Sequence, residues 1–373
     1  MTNRALCAAA GEVIDRMVTV QYYMSGGGSS FTEKPTVVAL YDASRALHDE
    51  PLTTTAATLL ADRVSPGDFV FIGTGFPVPP VMIPEADGPL GAVTLAAALE
   101  RAFNCRIVML VDEPLVEQMP LLLRAAGLNV ADSDEEFAPR RVRVISFTAD
   151  AYEAVDQTES LIERYSPKAI VTIEKPGPNA LGTIHNGSGI DMTRGVARLD
   201  VLTDMFMERG IAVIGIGDGG NELGMGNILE TVHEVVPTGA GFEGCPGGVA
   251  TVTKADVLIV ASISNWGAHG LAAALAVLIG DPNILHTPEV EGRVQQASAF
   301  AGLVDPTTCL SDGFVDGVPE RFHIAMVDGL NLAVGVRLAE FSRSKTFRES
   351  MKDSEGVQAW ADRFALTPFA VEA

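Results

Sequence analysis

The sequence AIVTIEKPGPNALGTIHNGSGID at residues 169–191 indicates the fold class, because it joins a short apolar run directly to a polar loop rich in Gly and Pro. The run at 169–173 does not alternate with polar residues, which is typical of a strand covered on both faces. The loop that follows combines many polar groups with a restricted backbone, and such loops often position a ligand. This stretch therefore indicates a buried strand followed by a candidate binding loop.

The same pattern recurs along the chain and predicts an α/β fold. Further apolar runs of strand length lie at 68–72, 106–111, 142–147, 211–216 and 257–261. Helical stretches lie between them at 91–103, 114–126 and 152–165. This alternation predicts a doubly wound, mostly parallel sheet in three layers, with the active site at the carboxyl ends of the strands. No repeat or long linker divides the chain, so we expect residues 1–373 to form a single domain.

Composition excludes several classes of partner. The chain has 26 Lys and Arg against 48 Asp and Glu, giving a formal charge of −22, which repels nucleic acid and anionic membranes. A small anionic substrate would need a local group of N–H donors, Lys, Arg or metal to overcome this charge. The uncharged stretch 257–280 contains several polar residues, so we predict a buried strand, a loop and a core helix instead of a membrane span.

The cysteines and the N-terminus predict a cytoplasmic protein. The four cysteines, at positions 7, 105, 245 and 309, form no C-x-x-C pair. The N-terminal residues show neither the apolar core of a signal peptide nor the character of a transit peptide. The sequence leaves the oligomeric state open, a homo-oligomer included.

A glycine-rich segment at 211–226 contains the pattern G-x-G-x-x-G at Gly215, Gly217 and Gly220. The dinucleotide-binding fingerprint also requires a helix that begins on the last glycine. Two more glycines follow closely and would weaken the first turns of such a helix. We therefore expect no nucleotide cofactor here, although a nicotinamide-dependent oxidoreductase stays among the alternatives.

Oxygen donors on two strand-end loops suit a hard cation or an ammonium group. Asp218, Asn221 and Glu222 lie on the glycine-rich segment, and Glu85 and Asp87 lie on the loop at 73–89. The alternative interpretation is structural, with a tight turn and carboxylates that cap helices.

The loop at 174–191 supplies two candidates for a catalytic base, Lys175 and His185. A solvated lysine and a turn-capping histidine are the structural alternatives. We expect the Lys175 ammonium to face the same edge as Asp218 and Glu222, and to serve chemistry more than stability. Candidate substrate-binding residues on or near this loop are Asn179, Asn186, Gly187, Ser188, Gly189 and Arg194. His269 is a further candidate because it follows another strand end, whereas His48, His233, His286 and His323 have no such setting.

Several long motifs together resemble the D-glutamate cyclase family, specifically its C-terminal-type domain. They are TGFPVPP at 74–80, PEADGPLGA at 84–92, VDEP at 111–114, EKPGPNALGTIHNGSGIDMT at 174–193 and IGIGDGGNELGMGN at 214–227. The resemblance covers roughly residues 10 to 330 in the expected order. It implies a carbon–oxygen lyase, of the hydro-lyase type, that cyclises D-glutamate to 5-oxo-D-proline with loss of water.

Ring closure requires a base for the ammonium group and a way to neutralise the γ-carboxylate. Lys175 or His185 would take the proton. The carboxylates Glu85, Asp87, Asp218 and Glu222 would either hold Mg²⁺ or Mn²⁺ or include a neutral general acid, and the sequence does not choose between these arrangements. Backbone N–H groups at 187–189, with Arg194 nearby in the sequence, would bind the substrate α-carboxylate. Glu85 and Asp87 are further candidates for binding the substrate.

Two other function classes stay open at this point. A hydrolase or lyase acting on another lactam, cyclic imide or amino acid would use the same carboxylates and base. A non-catalytic amino-acid sensor would bind its ligand without turnover. Family membership alone does not fix the reaction.

Overall fold

The computed structural model describes residues 3–20 and 36–338, together with residues 355, 358 and 362. The predicted single domain of 1–373 thus extends into stretches that lie outside the described residues. The helices are α1 Asn3–Val18, α2 Thr36–Arg45, α3 Leu52–Arg63, α4 Pro89–Phe103, α5 Met119–Ala125, α6 Ala151–Tyr165, α7 Leu199–Glu208, α8 Leu229–Val235, α9 Ser264–Ile279, α10 Pro288–Ala301 and α11 Glu320–Arg337. The strands are β1 Phe69–Thr74, β2 Pro77–Val78, β3 Ile83–Pro84, β4 Arg106–Val111, β5 Asn129–Val130, β6 Arg141–Ser146, β7 Ala169–Ile173, β8 Ala212–Gly217, β9 Val257–Val260, β10 Phe314–Val315 and β11 Val318–Pro319.

Seven strands form one parallel sheet in the order β5-β6-β4-β1-β7-β8-β9. The chain builds outward from β1 toward β4 and β6, and then returns to the other side of β1 to add β7, β8 and β9. This reversal creates a switch point between β1 and β7, where their last residues Thr74 and Ile173 lie side by side. In doubly wound sheets, ligands bind at the carboxyl edge next to such a switch point. The prediction of a doubly wound parallel sheet is confirmed.

Helices cover both faces of this sheet, as the apolar strands predicted. Alternate strand residues enter different cores: Val70 and Ile72 pack beneath a layer that contains α1, α3, α4 and α9, whereas Phe71 packs with α6 and α7. Helices α2 and α8 pack near β9. Burial on both faces explains why the strands lack a polar side.

The uncharged stretch at 257–280 contains β9, a short polar connection and α9. Helix α9 is buried along most of its length and contacts α1, α3, α4 and α11. In the part of the chain that the structure describes, no helix has the length and apolar character needed to cross a membrane. The prediction of a core helix at this position is confirmed.

The predicted helix at 114–126 differs from the observed structure. A short 3₁₀ turn at Glu113–Leu115 precedes α5, which begins only at Met119. Pro120 has no N–H and therefore fits the first turn of α5 but not the middle of a longer helix. The two-residue edge strand β5 and the small hairpins β2–β3 and β10–β11 were not predicted.

Candidate active site

Six carboxylates lie at the carboxyl edge of the sheet near the switch point. Asp218 follows β8 directly and is partly exposed, whereas the other five side chains are buried. Among the described residues, no Lys or Arg forms an ion pair with any of the six. We call this group the carboxylate cluster, and its members are Glu85, Asp87, Glu174, Asp218, Glu222 and Asp316.

The cluster contains two sets of three carboxylates that share Asp218. Oxygens of Asp87, Asp218 and Asp316 lie within 4.8 Å of one another, as do oxygens of Glu174, Asp218 and Glu222. Each set has the spacing that a bound cation requires. Asp87, Asp218 and Glu222 were predicted as site residues and lie in these sets, whereas Glu174 and Asp316 were not predicted.

Asp87 is fixed at the N-terminus of α9. Its Oδ2 accepts a hydrogen bond from the Ser264 N–H at 2.8 Å, and its Oδ1 accepts from the N–H groups of Asn265 at 2.8 Å and Gly88 at 3.0 Å. The free N–H groups of a helix N-terminus favour a carboxylate in this position. Asp87 therefore caps a helix and faces the cluster, but the helix that it caps is α9 and not α4, which directly follows it in the sequence.

Glu222 folds back over its own loop. Its Oε1 accepts from the Gly219 N–H at 2.7 Å, and its Oε2 accepts from the Gly220 N–H at 2.8 Å. A Cβ on Gly217 would lie 2.8 Å from Cβ and 2.9 Å from Oε2 of Glu222, so only glycine leaves room for this side chain. The glycines of this segment thus place a carboxylate in the cluster.

Two members of the cluster, Glu174 and Asp316, were not predicted from the sequence. Asp316 and Gly317 form the two-residue turn between β10 and β11, with φ values of 52° and 75°. An Asp-Gly pair is a common turn of such hairpins, so the turn alone accounts for these two residues and nothing local marks Asp316 as a ligand. Glu174 is buried beside α9 and accepts a hydrogen bond from the Ser264 hydroxyl at 2.6 Å. Its position directly after β7 was the feature of the sequence that could have identified Glu174 as a site residue.

Burial and mutual repulsion hold protons on the cluster. Burial first, and neighbouring carboxylates second, raise the pKa values of Glu85, Glu174, Asp218 and Asp316 well above their usual range. Burial also raises the pKa of Asp87 to about 6, against the opposing effect of its N–H donors. The neighbouring carboxyl group of Asp87 adds to the rise of the pKa of Asp316, and that of Glu222 adds to the rise of the pKa of Asp218. The buried site therefore favours the protonated form of these carboxyl groups more than water does.

Lys175 is buried next to the cluster and pairs with a carboxylate outside it. Its Nζ donates to Asp112 Oδ2 at 2.6 Å and to the Gly75 carbonyl at 3.0 Å. Asp112 Oδ1 accepts from the Ala197 N–H at 2.6 Å. Burial lowers the pKa of Lys175, while Asp112 opposes this shift. The structural alternative of a solvated lysine is wrong, and the expectation that Lys175 would face Asp218 and Glu222 gives way to an ion pair with Asp112.

Asp112 is a site residue that the sequence analysis did not select, although it lies in the VDEP motif. It directly follows β4, and Gly75 brings the chain close to it: a Cβ on Gly75 would lie 2.3 Å from Asp112 Oδ2, and its φ is 121°. Only glycine adopts this conformation at such close range.

The loop at 174–191 uses most of its predicted binding groups internally. Asn179 accepts from Leu181 and Thr183 and donates to the Gly248 carbonyl. Asn186 accepts from the N–H groups of Ser188 and Gly189, so these two groups are not free donors in this structure. Gly187 and Ser188 are exposed. Arg194 is also exposed and has no ion pair among the described residues, so it stays available to an anionic ligand.

His185 and Asn221 connect this loop to the glycine-rich segment. Asn221 Nδ2 donates to the His185 carbonyl at 2.9 Å, and the backbones of His185 and Asp191 form an isolated bridge. The His185 side chain is buried, and its Nδ1 has no hydrogen-bond partner among the described residues. The histidine therefore does not cap the turn through Nδ1, and its role as a base stays a prediction.

His269 lies one turn below the N-terminus of α9. Its contacts are with Thr94, His286 and Glu291, and none of the described contacts joins it to the carboxylate cluster. His286, which was not predicted as a site residue, has its ring centroid 4.7 Å from that of His269. The described contacts of His269 therefore do not support its predicted role in substrate binding.

The pattern at Gly215, Gly217 and Gly220 does not form the geometry of a dinucleotide site. No helix begins at Gly220; a 3₁₀ turn follows at Met225–Ile228 and α8 begins at Leu229. The side chain of Glu222 takes the N–H groups that would otherwise face a phosphate.

Comparisons with known proteins agree with the motifs. Residues 36–331 match the family described as D-glutamate cyclase-like, C-terminal. The human protein named D-glutamate cyclase, mitochondrial, is 31% identical over 227 residues, which cover 56% of this chain and 33% of the human protein. The match thus spans about a third of that relative. The match over most of this chain's length shows that it belongs to the D-glutamate cyclase-like family, through the C-terminal domain of that family.

Proposed function

We propose that this chain is a hydro-lyase that cyclises D-glutamate to 5-oxo-D-proline with loss of water. The observation that carries the proposal is the carboxylate cluster at the switch point of a chain that belongs to this family. The name of the human relative supports the same reaction.

The cluster suits the ammonium end of the substrate. Five buried carboxylates without a Lys or Arg partner among the described residues attract a cation, and the partly exposed Asp218 is the member that a ligand can reach. The carboxylates of the substrate would be repelled by the same cluster. We assign the α-carboxylate to the exposed guanidinium of Arg194, which offers two parallel N–H donors.

The chemistry moves protons without consuming an external acid or base. The amine nitrogen bonds to the γ-carbon, a C–O bond breaks, and both protons lost by nitrogen end in the departing water. A neutral carboxyl group of Asp218 or Asp316 would protonate the leaving oxygen, and a neighbouring carboxylate of the cluster would accept a proton from the ammonium group. The raised pKa values of Asp218 and Asp316 support this division of roles. Because the attack is intramolecular, correct positioning supplies much of the rate enhancement.

A divalent cation is the second way to neutralise the γ-carboxylate. Either set of three carboxylates, Asp87–Asp218–Asp316 or Glu174–Asp218–Glu222, offers oxygen ligands of the kind that Mg²⁺ or Mn²⁺ prefers, and Glu85 lies beside the first set. When bound, the cation would polarise the carboxyl group. In that case the residues named above would be ionised, and Lys175 or His185 would take the ammonium proton.

The reaction is tested by incubating the purified protein with D-glutamate and following 5-oxoproline by proton NMR. We expect 5-oxo-D-proline to form and L-glutamate to react much more slowly. The matched control is Asp218→Asn, which removes the carboxylate that both sets share. If neither isomer reacts while another lactam or cyclic imide is turned over, the chain is a hydrolase or lyase of that other substrate.

A further inference from the structure

A second group of metal-binding side chains lies between α9 and α10, separate from the carboxylate cluster. His269 is on α9, His286 is in the segment before α10, and Glu291 is on α10. One ligand atom from each of these residues lies within 4.8 Å of the other two. The side chains of His269, His286 and Glu291 are 1%, 3% and 0% exposed. Charged or ionisable groups are this deeply buried only when they are paired or bind a metal.

The distances approach those of a coordinated ion. Nε2 of His269 lies 3.4 Å from Oε2 of Glu291, and Nε2 of His286 lies 2.8 Å from the same oxygen. Tetrahedral zinc, with bonds of about 2.0 to 2.2 Å, separates its ligand atoms by about 3.4 Å. The first distance matches this value, and the second would open by about half an ångström on binding.

One buried nitrogen that faces the proposed ion lacks a hydrogen bond. Nε2 of His269 lies 3.4 Å from Oε2 of Glu291 but makes no hydrogen bond to any described residue. The other oxygen of Glu291 accepts a hydrogen bond from Nε2 of Gln295 at 2.9 Å, which fixes the carboxylate. A buried ring nitrogen without a hydrogen bond is rare in native proteins, and a bound ion is one of the few explanations for it.

The surroundings of the group also fit a metal site. In the described part of the chain, no Lys or Arg forms an ion pair with Glu291, so its charge is balanced either by a protonated histidine or by a cation. Nδ1 of His269 lies 3.4 Å from the Thr94 hydroxyl. A metal-bound histidine commonly donates its second N–H to a partner of this kind, which fixes the ring orientation.

We propose that His269, His286 and Glu291 bind a divalent transition-metal ion of the zinc class that joins α9 to α10. Two imidazoles and one carboxylate favour zinc over Mg²⁺, which prefers oxygen ligands. Because the site is buried, the ion has a structural role. It holds the helix whose N-terminus fixes Asp87 in the active site. The proposal does not depend on which reaction the carboxylate cluster carries out.

Metal analysis of protein purified without a histidine tag tests the site. After exposure to Zn²⁺ and extensive dialysis, we expect about one zinc ion per chain, and removal by a strong chelator should lower the melting temperature by at least about 5 °C. Co²⁺ added to the chelated protein should give the visible absorption of a nitrogen- and oxygen-bound cobalt ion.

Variants locate the ion. His286→Asn and Glu291→Gln should lose the zinc and the cobalt absorption, whereas Asp218→Asn and the exposed-residue control His233→Asn should keep both. Wild-type protein that retains no zinc, gives no cobalt absorption and melts unchanged with chelator would overturn the proposal in favour of a proton held between the three side chains. Loss of the ion in Asp218→Asn but not in His286→Asn would overturn it as well, by moving the ion to the carboxylate cluster. The wild-type measurements decide the question even if a variant fails to fold.

Discussion

The ammonium group of Lys175 donates to Asp112 Oδ2 at 2.6 Å, and this ion pair crosses the end of β1. Lys175 follows β7 and Asp112 follows β4, which lie on opposite sides of β1 in the sheet. The carbonyl of Gly75, just after β1, accepts a second hydrogen bond from the same ammonium group. One buried side chain thus ties together the ends of the three central strands at the switch point.

Lys175→Met should destabilise the fold, because it leaves Asp112 as a buried charge without its partner. We expect a loss of about 3 to 5 kcal/mol in the free energy of unfolding, measured by urea denaturation. The double variant Lys175→Met/Asp112→Asn should recover part of this loss, since it removes the unpaired charge. Wild-type stability in Lys175→Met would contradict the structural role of the pair.

The double variant also tests whether Lys175 is a base. If it is, turnover should stay about 10² to 10⁴-fold below wild type even where stability recovers. If turnover recovers together with stability, Lys175 is not the base and only holds the strand ends in position. His185→Asn is the companion variant, and its loss of turnover without loss of stability would assign the base to His185.

Asp218→Asn should abolish most activity with little loss of stability. Asp218 belongs to both sets of carboxylates, and its raised pKa means that the folded state gains little from its charge. We expect turnover to fall about 10² to 10⁴-fold, as for loss of a general acid or a shared cation ligand. Asp156→Asn, at an exposed position on α6, is the control. Equal turnover in the two variants would show that the carboxylate of Asp218 takes no part in catalysis.

Asp316→Asn should change how stability depends on pH. The pKa of Asp316 is raised in the folded state, so the folded protein binds more protons than the unfolded chain above about pH 4. Its contribution to stability is therefore present at low pH and is lost as the pH rises toward the folded-state pKa. Asn cannot ionise, so the variant lacks this pH-dependent contribution to stability, and Asn tolerates the positive φ of the turn. The stability of the variant relative to wild type should rise from pH 4 to pH 7 in urea denaturation, and a constant difference would contradict the raised pKa.

Gly217→Ala should move the Glu222 carboxylate. The added Cβ would lie 2.8 Å from Cβ and 2.9 Å from Oε2 of Glu222, so the side chain must shift away from its two N–H donors. We expect turnover to fall by at least about 10-fold, because small displacements of catalytic groups reduce rate strongly. Unchanged kinetics would show that Glu222 is not held in place for catalysis.

Binding of Mg²⁺ or Mn²⁺ to the cluster should raise the melting temperature in proportion to the logarithm of ion concentration. At 100 times the dissociation constant, the gain is about 2.7 kcal/mol in the free energy of unfolding. Asp218→Asn should lose most of this gain, while His286→Asn should keep it. If the ions do not shift the melting temperature of the wild-type protein, a protonated carboxyl group of the cluster must neutralise the γ-carboxylate of the substrate instead.

The main elements of the fold followed from local sequence pattern. The strands at 106–111 and 169–173 match the observed bounds, and those at 68–72, 142–147, 211–216 and 257–261 are within two residues. Buried strands and capped loops are specified by nearby residues, so their pattern appears in the sequence itself. The prediction of one helix at 114–126 was wrong, because a separate helix begins at Met119 with Pro120 in its first turn. The apolar content of this stretch does not show where that helix begins.

The parallel α/β class and the loops that carry Asp87, Asp218 and Glu222 could be predicted from the amino-acid pattern, because strand ends of a parallel sheet meet at one edge. The pattern could not show which side chains meet in the folded chain. Asp316 reaches the cluster from a hairpin about 100 residues after Asp218, and His286, in the segment before α10, meets His269 on α9. Lys175 pairs with Asp112 and not with the cluster, since the strand order places β1 between β4 and β7. Such contacts depend on how distant segments pack, and local residue patterns carry no information about that packing.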